Sequence, residues 1–124
     1  INLFIEKSLW KEEIHVYGGN QWRPVIHVKD AAQALVMAVE DSTLNTTLNL
    51  VGKNHLVLDL AKQISDNIKV VDYKDDNRSY KVDNSRILEK LKWRPIMDIN
   101  SAKSEFQKVN YQEDIYYNKR WSYE

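Results

Sequence analysis

The 124-residue sequence predicts an α/β fold, a small mixed domain of short strands and about four to five helices. Two observations carry this reading. Short stretches with apolar residues at every second position alternate along the chain with stretches whose apolar residues recur at i, i+3, i+4 and i+7. Turn-forming glycine, asparagine and aspartate clusters stand between them. With 43% hydrophobic residues the chain builds a modest core, and disorder is set aside.

Leu3, Phe4, Leu9 and Trp10 lie near helical spacing and predict a short helix over residues 2–10. Ile14 and Val16 alternate with His15 and Tyr17, which is strand spacing, and Gly18-Gly19-Asn20 forms the turn after it. Pro24 marks a strand start or edge, and a residue before proline is pushed into extended geometry, so Arg23 is held extended. The strand is expected to be completed by residues 25–28. Asp30 and Gln33 form a D-x-x-Q variant of the capping box, with the Asp30 carboxylate accepting from the Gln33 N–H. The helix is then expected from Ala31 to about Glu40.

Residues 47–51 read as a strand stopped by Gly52, and Val57, Leu60, Ala61 and Ile64 as an amphipathic helix. Residues 68–72 read as a further strand. Asp83 is the expected N-cap of a helix through Leu91, closed by Trp93-Arg94-Pro95. Ile99, Ala102, Phe106 and Val109 mark the last clear helix. The tail over 111–124 carries Tyr111, Tyr116, Tyr117, Trp121 and Tyr123 and is expected to pack back on the body.

One segment strains a self-sufficient domain. In residues 31–39 every residue except Gln33 is apolar or small, so no face is left for water. Two readings stay open: a central core helix, or a helix whose cover lies partly in protein outside this chain.

The balance of 18 basic and 18 acidic residues gives no electrostatic reason to expect nucleic acid or a membrane surface as partner. The longest apolar run, 34–39, is far short of the roughly 20 residues of a membrane span. Nothing near Ile1 has a basic stretch followed by an apolar core, so no signal peptide is expected. The lack of cysteine fits a reducing, cytoplasmic setting and removes thiolate metal sites. His15, His27 and His55 have no spacing for a metal, and His27, among Val25, Ile26 and Val28, reads as a hydrogen-bonded structural histidine. Asp72, Asp75, Asp76 and Asp83 lack the glycine and closing glutamate of a calcium loop. No G-x-S-x-G, H-E-x-x-H, P-loop or G-x-G-x-x-G occurs. On residue chemistry alone this is an α/β domain with no nucleophile, no general base and no metal site, and Arg78 reads as a surface arginine paired with Asp75 or Asp76.

The ordered motifs say more. "VYGGNQWRPVIHVKDAAQALVMAVE", then "TLNLVGKNHLVLDLAKQI", then "NRSYKVDNSRILEKLKWRP" resemble the C-terminal part of the extended short-chain dehydrogenase/reductases, the NAD-dependent nucleotide-sugar epimerases and dehydratases. The resemblance rests on Tyr17, Gly18, Arg23, His27, Val28, Asp30, Asn49, Arg78, Tyr80, Asp83, Trp93 and Pro95, in that order, and "IYYNKRW" resembles the family's closing helix. It implies that residues 1–124 are the substrate portion of a longer chain, cytoplasmic, whose Rossmann domain is absent here and carries NAD(P) and the catalytic Tyr-x-x-x-Lys. By that resemblance His15 and Tyr17 line the nucleobase, and Arg23 and Arg78 grip the diphosphate of a sugar nucleotide. No catalytic or cofactor-binding residue is then expected in this chain, which would be inactive alone. The start at Ile1 agrees with a truncated chain. Homo-oligomerisation is left open, and so is a stand-alone, non-catalytic binding or assembly module derived from the family. Lys92 stands where the family often has glycine; if that position is left-handed, the cost is about 1–2 kcal/mol.

Overall fold

Residues 1–72 and 78–108 are described by a computed structural model of the chain. In order they form α1 (Asn2–Leu9), β1 (Ile14–Tyr17), β2 (Trp22–Val25), α2 (Val28–Glu40), β3 (Lys53–Leu56), α3 (Val57–Ile64), β4 (Ile68–Val71), α4 (Ser85–Leu91) and α5 (Ile99–Lys108). The fold is mixed α/β, as the alternating patterns predict. The aromatic tail over 111–124, Val109, Asp75 and Asp76 lie outside the described residues.

β1 and β4 pair in parallel, Ile14 opposite Ile68, and β2 and β3 pair antiparallel, Arg23 opposite His55. Two cores hold these elements. Ile14 and Val16, the inward positions of β1, pack with Ile5 of α1 and Leu60, Ala61 and Ile64 of α3, with Phe106 of α5 at the edge. The spacing of the α3 residues places all three on one face, so burying that face fixes the helix on the strand pair. The second core joins Ala34 of α2 to Ile87 and Leu91 of α4 and to Trp93. Trp93 enters it because Lys92 adopts the left-handed conformation at φ 54°, which ends α4 and turns the chain inward.

Four expectations are corrected. The strand at Arg23 begins at Trp22 and ends at Val25, because the Val25 carbonyl accepts from the Gly52 N–H (2.9 Å) and the chain then turns into α2. Helix α2 begins at Val28 rather than Ala31, and its N-cap is His27, whose Nδ1 accepts from the Lys29 N–H (3.2 Å). Asp30 is therefore no cap. It lies inside the first turn, buried, and its carboxylate accepts the backbone N–H groups of Ile96 (3.1 Å) and Met97 (3.0 Å). Its own carbonyl accepts from the Trp93 indole N–H (3.2 Å). Residues 47–51 are not a strand; the partner of β2 is Lys53–Leu56, beyond Gly52. At α4 the N-cap residue is Asn84, one past Asp83, although the Asp83 carboxylate still accepts from the Ser85 N–H (3.1 Å) and hydroxyl (2.6 Å).

Helix α2 has the apolar surround read from its sequence, and one side of it is open. Ala34 is buried, whereas Val28 is 74%, Leu35 63%, Val36 56% and Val39 86% exposed.

Candidate functional site

Arg23 sits on β2, extended as its position before Pro24 requires, and its guanidinium is held from three sides. Nη1 donates to the carbonyl of Trp22 (2.9 Å) and to that of Arg78 (2.5 Å), and the guanidinium carbon lies 5.4 Å from the centre of the Tyr80 ring. The contact with Arg78 joins residues 55 positions apart in sequence. It forms because the segment over 78–82 runs along the β2–β3 pair. The Trp22 N–H donates to the Ser79 hydroxyl (3.0 Å), and the Tyr80 N–H to the Trp22 carbonyl (3.4 Å). Asn54 fixes the far end, with its amide donating to the Val82 carbonyl (2.9 Å) and accepting from the Val82 N–H (2.9 Å). Lys81 stacks its ammonium 3.7 Å from the Trp22 ring centre.

The Arg23 guanidinium thus lies against the Arg78 carbonyl and the Tyr80 ring, and the Lys81 ammonium against the Trp22 ring. A guanidinium offers an anion with several acceptor oxygens planar N–H donors, and an ammonium a point charge. The two carbonyls on Nη1 fix the plane in which the Arg23 donors lie, so little side-chain entropy remains to be lost on binding.

His15 and Tyr17 lie elsewhere in the fold. Both point from the exposed face of β1, in the sheet shared with β4. His15 Nε2 pairs with Glu13 Oε1 (2.7 Å), and the Tyr17 carbonyl accepts from the Gly19 N–H (3.0 Å) and the Gln21 amide (2.8 Å). Of the four sequence-predicted site residues, Arg23 meets the backbone carbonyl of Arg78, whereas His15 and Tyr17 share a face in the other sheet.

A cleft of about 780 Å³ opens where the N-terminus of α5 meets α2 and β3, lined by His27, Lys53, His55, Asp98 and Glu105 over an apolar floor. Neither arginine lines it. His27 Nε2 lies 3.5 Å from the Glu105 carboxylate, which also receives the Lys29 ammonium (2.5 Å). Lys29 holds the Glu105 carboxyl below its ordinary pKa, and burial, helped by Lys53 and opposed by Asp59, lowers that of His55. Sequence reasoning missed this grouping. His27 and Glu105 stand on different helices far apart in the chain, and no local pattern links them. The structural role read for His27 agrees with its capping bond.

The Gly18-Gly19 turn does not have the form of a dinucleotide cradle. Gly18 (φ 73°) and Gly19 (φ 92°) make a left-handed turn, but it leads into β2 and not into a helix N-terminus that would face a pyrophosphate. A Cβ on Gly19 would meet Leu58 Cβ at 3.1 Å and Val16 Cγ1 at 3.3 Å, so that glycine serves the packing of β1 on α3. Among the described residues no group of three or more acidic, histidine or cysteine side chains is placed to hold a metal. No described helix is long and apolar enough to cross a membrane.

The described residues share a fold with part of several solved epimerase and dehydratase structures. A model of the NAD dependent epimerase/dehydratase family matches residues 1–50. Among similar solved structures is the UDP-N-acetylglucosamine 4-epimerase of Methanobrevibacter ruminantium M1 in complex with UDP-N-acetylmuramic acid, at 29% identity over 81% of this chain and 34% of that one, TM-score 0.64. The UDP-glucose 4-epimerase of Thermotoga maritima with UDP-glucose matches at 24% identity over 86% of this chain and 38% of its own, TM-score 0.67. The dTDP-glucose 4,6-dehydratase of Bacillus anthracis in complex with NAD matches at 20% identity over 83% and 36%, TM-score 0.66. No curated protein matches the sequence. The chain thus spans little more than a third of the length of the solved structures it resembles.

Proposed function

We propose that this chain is the substrate-binding portion of an NAD-dependent nucleotide-sugar epimerase or dehydratase, with residues 1–124 as one substrate domain of a longer polypeptide. Arg23 and Arg78 take the diphosphate of the sugar nucleotide, and His15 and Tyr17 line the nucleobase. The rest of the polypeptide carries NAD and the groups that move hydride and proton, so this chain alone turns nothing over. The observation that carries the reading is the Arg23–Arg78 junction, where a guanidinium is fixed by the backbone carbonyls of Trp22 and Arg78. Support comes from the resemblance of the ordered motifs and from the likeness to an epimerase solved with UDP-glucose.

The experiment is a calorimetric titration of UDP-glucose and dTDP-glucose into the product of the native gene. The proposal expects saturable binding of one of them, competed by the matching nucleoside diphosphate and not by free glucose. Binding that free glucose competes and the diphosphate does not would reject it.

A further inference from the structure

The register of the antiparallel ladder gives Arg23 a basic neighbour that no local pattern in the sequence shows. Arg23 stands opposite His55, and Val25 opposite Lys53. Opposite residues point to the same face with Cβ atoms about 4.5–5.5 Å apart, and residues two apart on one strand share that face. Arg23, His55 and Lys53 therefore lie on one face of β2–β3, and Trp22, Pro24, Asn54 and Leu56 on the other. The second face is engaged by the neighbouring segment, through Lys81 on the Trp22 ring and Val82 on the Asn54 amide. The first leads into the cleft, whose wall includes Val25, Lys53 and His55.

The basic groups on this wall are not consumed by the fold. Among the described residues, neither the His55 imidazole nor the Lys53 ammonium has a hydrogen-bond or ion-pair partner. The carboxylates of the facing wall are taken. Asp98 accepts the Ser101 N–H (2.8 Å) and hydroxyl (2.9 Å), and Glu105 holds the Lys29 ammonium and lies 3.5 Å from His27 Nε2. Burial and Lys53 disfavour a proton on His55, and Asp59 at the start of α3 favours one. The remaining charged groups on this side are Arg23 across the ladder and the Ile1 amine, which burial holds below its ordinary pKa.

We propose that His55 is a second phosphate-contacting residue beside Arg23: the diphosphate of the sugar nucleotide lies across the Arg23–His55 rung, and its binding draws a proton from solvent onto the imidazole. This rests on the reading of Arg23 as a diphosphate ligand. An anion within about 4–6 Å favours the charged form of an imidazole, and the imidazolium then donates an N–H to a phosphate oxygen. The ligand has no proton of its own to exchange, because the phosphate that titrates near 6 is a monoester and this diphosphate is esterified at both ends. Affinity therefore rises as pH falls through the value of the bound imidazole, and levels off below that of the free one, which lies under 6.5.

The test is calorimetric titration of UDP-glucose, or of dTDP-glucose where that is the one bound, into the product of the native gene. Runs near pH 6.5 in two buffers of different ionisation heat read the protons taken up. The parent should show net uptake, and an affinity about tenfold higher near pH 6 than near pH 8. His55→Gln, which can donate a hydrogen bond but does not titrate, should abolish the uptake and flatten the pH profile. A side chain that only packs the β2–β3 pair would move neither. Binding by the parent without uptake, or uptake that persists in His55→Gln and so belongs to His15 or His27, overturns the inference and leaves the substrate assignment standing. A parent that binds neither sugar nucleotide rejects the assignment, and the inference with it.

Discussion

The buried carboxylate of Asp30 accepts the backbone N–H groups of Ile96 (3.1 Å) and Met97 (3.0 Å), 66 and 67 residues further along the chain. Asp30 is 1% exposed and is the one buried charged side chain among the described residues. The two N–H groups follow Pro95 and lead to α5, so this contact joins α2 of the second core to a helix of the first. With the Trp93 indole on the Asp30 carbonyl, both the side chain and the backbone of one residue anchor the same turn.

Replacing Asp30 with alanine therefore leaves two part-buried donors without their acceptor. Hydrogen bonds to a charged group contribute about 1.5–3 kcal/mol each, and unmet buried donors add to the loss. Asp30→Ala should cost about 3–5 kcal/mol and lower the melting midpoint by more than about 10 °C. Asp30→Asn keeps an acceptor but turns an amide donor toward an N–H, and should fall between. Thermal unfolding followed by circular dichroism reads both.

Lys92 sits at φ 54° after α4, a conformation that costs a residue with a Cβ about 1–2 kcal/mol relative to glycine. Lys92→Gly loses part of that gain to the greater freedom of the unfolded chain. The net expectation is a stabilisation of about 0.5–1 kcal/mol, seen as a higher urea midpoint at unchanged slope. Lys92→Val should shift the midpoint the other way.

Acid should weaken the fold in two stages. Burial lowers His55 from its ordinary 6.5, so the proton binds more readily in the unfolded chain and stability is lost as pH falls from about 6.5 through the folded-state value. Asp41, Asp83 and Asp98 are held below 3.8 by hydrogen bonds from Thr43, Ser85 and Ser101, and Glu105 below 4.5 by Lys29. Their contribution is complete above those values and is lost as pH falls through the lower folded ones. Urea midpoints against pH should bend once below 6.5 and again below 4.5. His55→Gln should remove the first bend and leave the second.

The element order was legible because local patterns set it. The burial of Ile14 and Val16, and of Leu60, Ala61 and Ile64, follows directly from strand and helix spacing. Asp30 was misread because D-x-x-Q is satisfied locally by a cap, whereas its real partners stand 66 and 67 residues away, beyond the reach of any local pattern. His27 was not read as the N-cap because histidine is outside the usual capping set. Residues 47–51 have strand chemistry, but a strand needs a partner, and β2 takes Lys53–Leu56 through the Gly52 N–H on Val25. At the candidate site the extended geometry of Arg23 was legible from Pro24. Its junction with the Arg78 carbonyl was not, since the run of the 78–82 segment along the β2–β3 pair is set by tertiary packing.

The Gly18-Gly19 turn, closed over Leu58 and followed by a strand, predicts that this chain takes up no NAD. Calorimetry with NAD should show only heats of dilution. Saturable binding at micromolar affinity would contradict the assignment of the cofactor to another part of the polypeptide.

The account turns on Arg23, and the affinity of its alanine variant for the sugar nucleotide tests it most directly. Arg23→Ala removes a charge-assisted contact of roughly 1.5–3 kcal/mol from the diphosphate, an expected loss on the order of 10- to 100-fold in affinity. It also removes the bonds to the Trp22 and Arg78 carbonyls, so a lower melting midpoint is expected on either reading and decides nothing. Arg23→Lys should recover only part of the affinity, because an ammonium keeps the charge without the planar fork. Titration of the native gene product and its two variants, well below their melting midpoints, should show the order arginine, lysine, alanine in affinity with NAD binding unchanged. An Arg23→Ala protein that binds the sugar nucleotide as tightly as the parent would show that this arginine braces the β2–β3 pair and holds no phosphate.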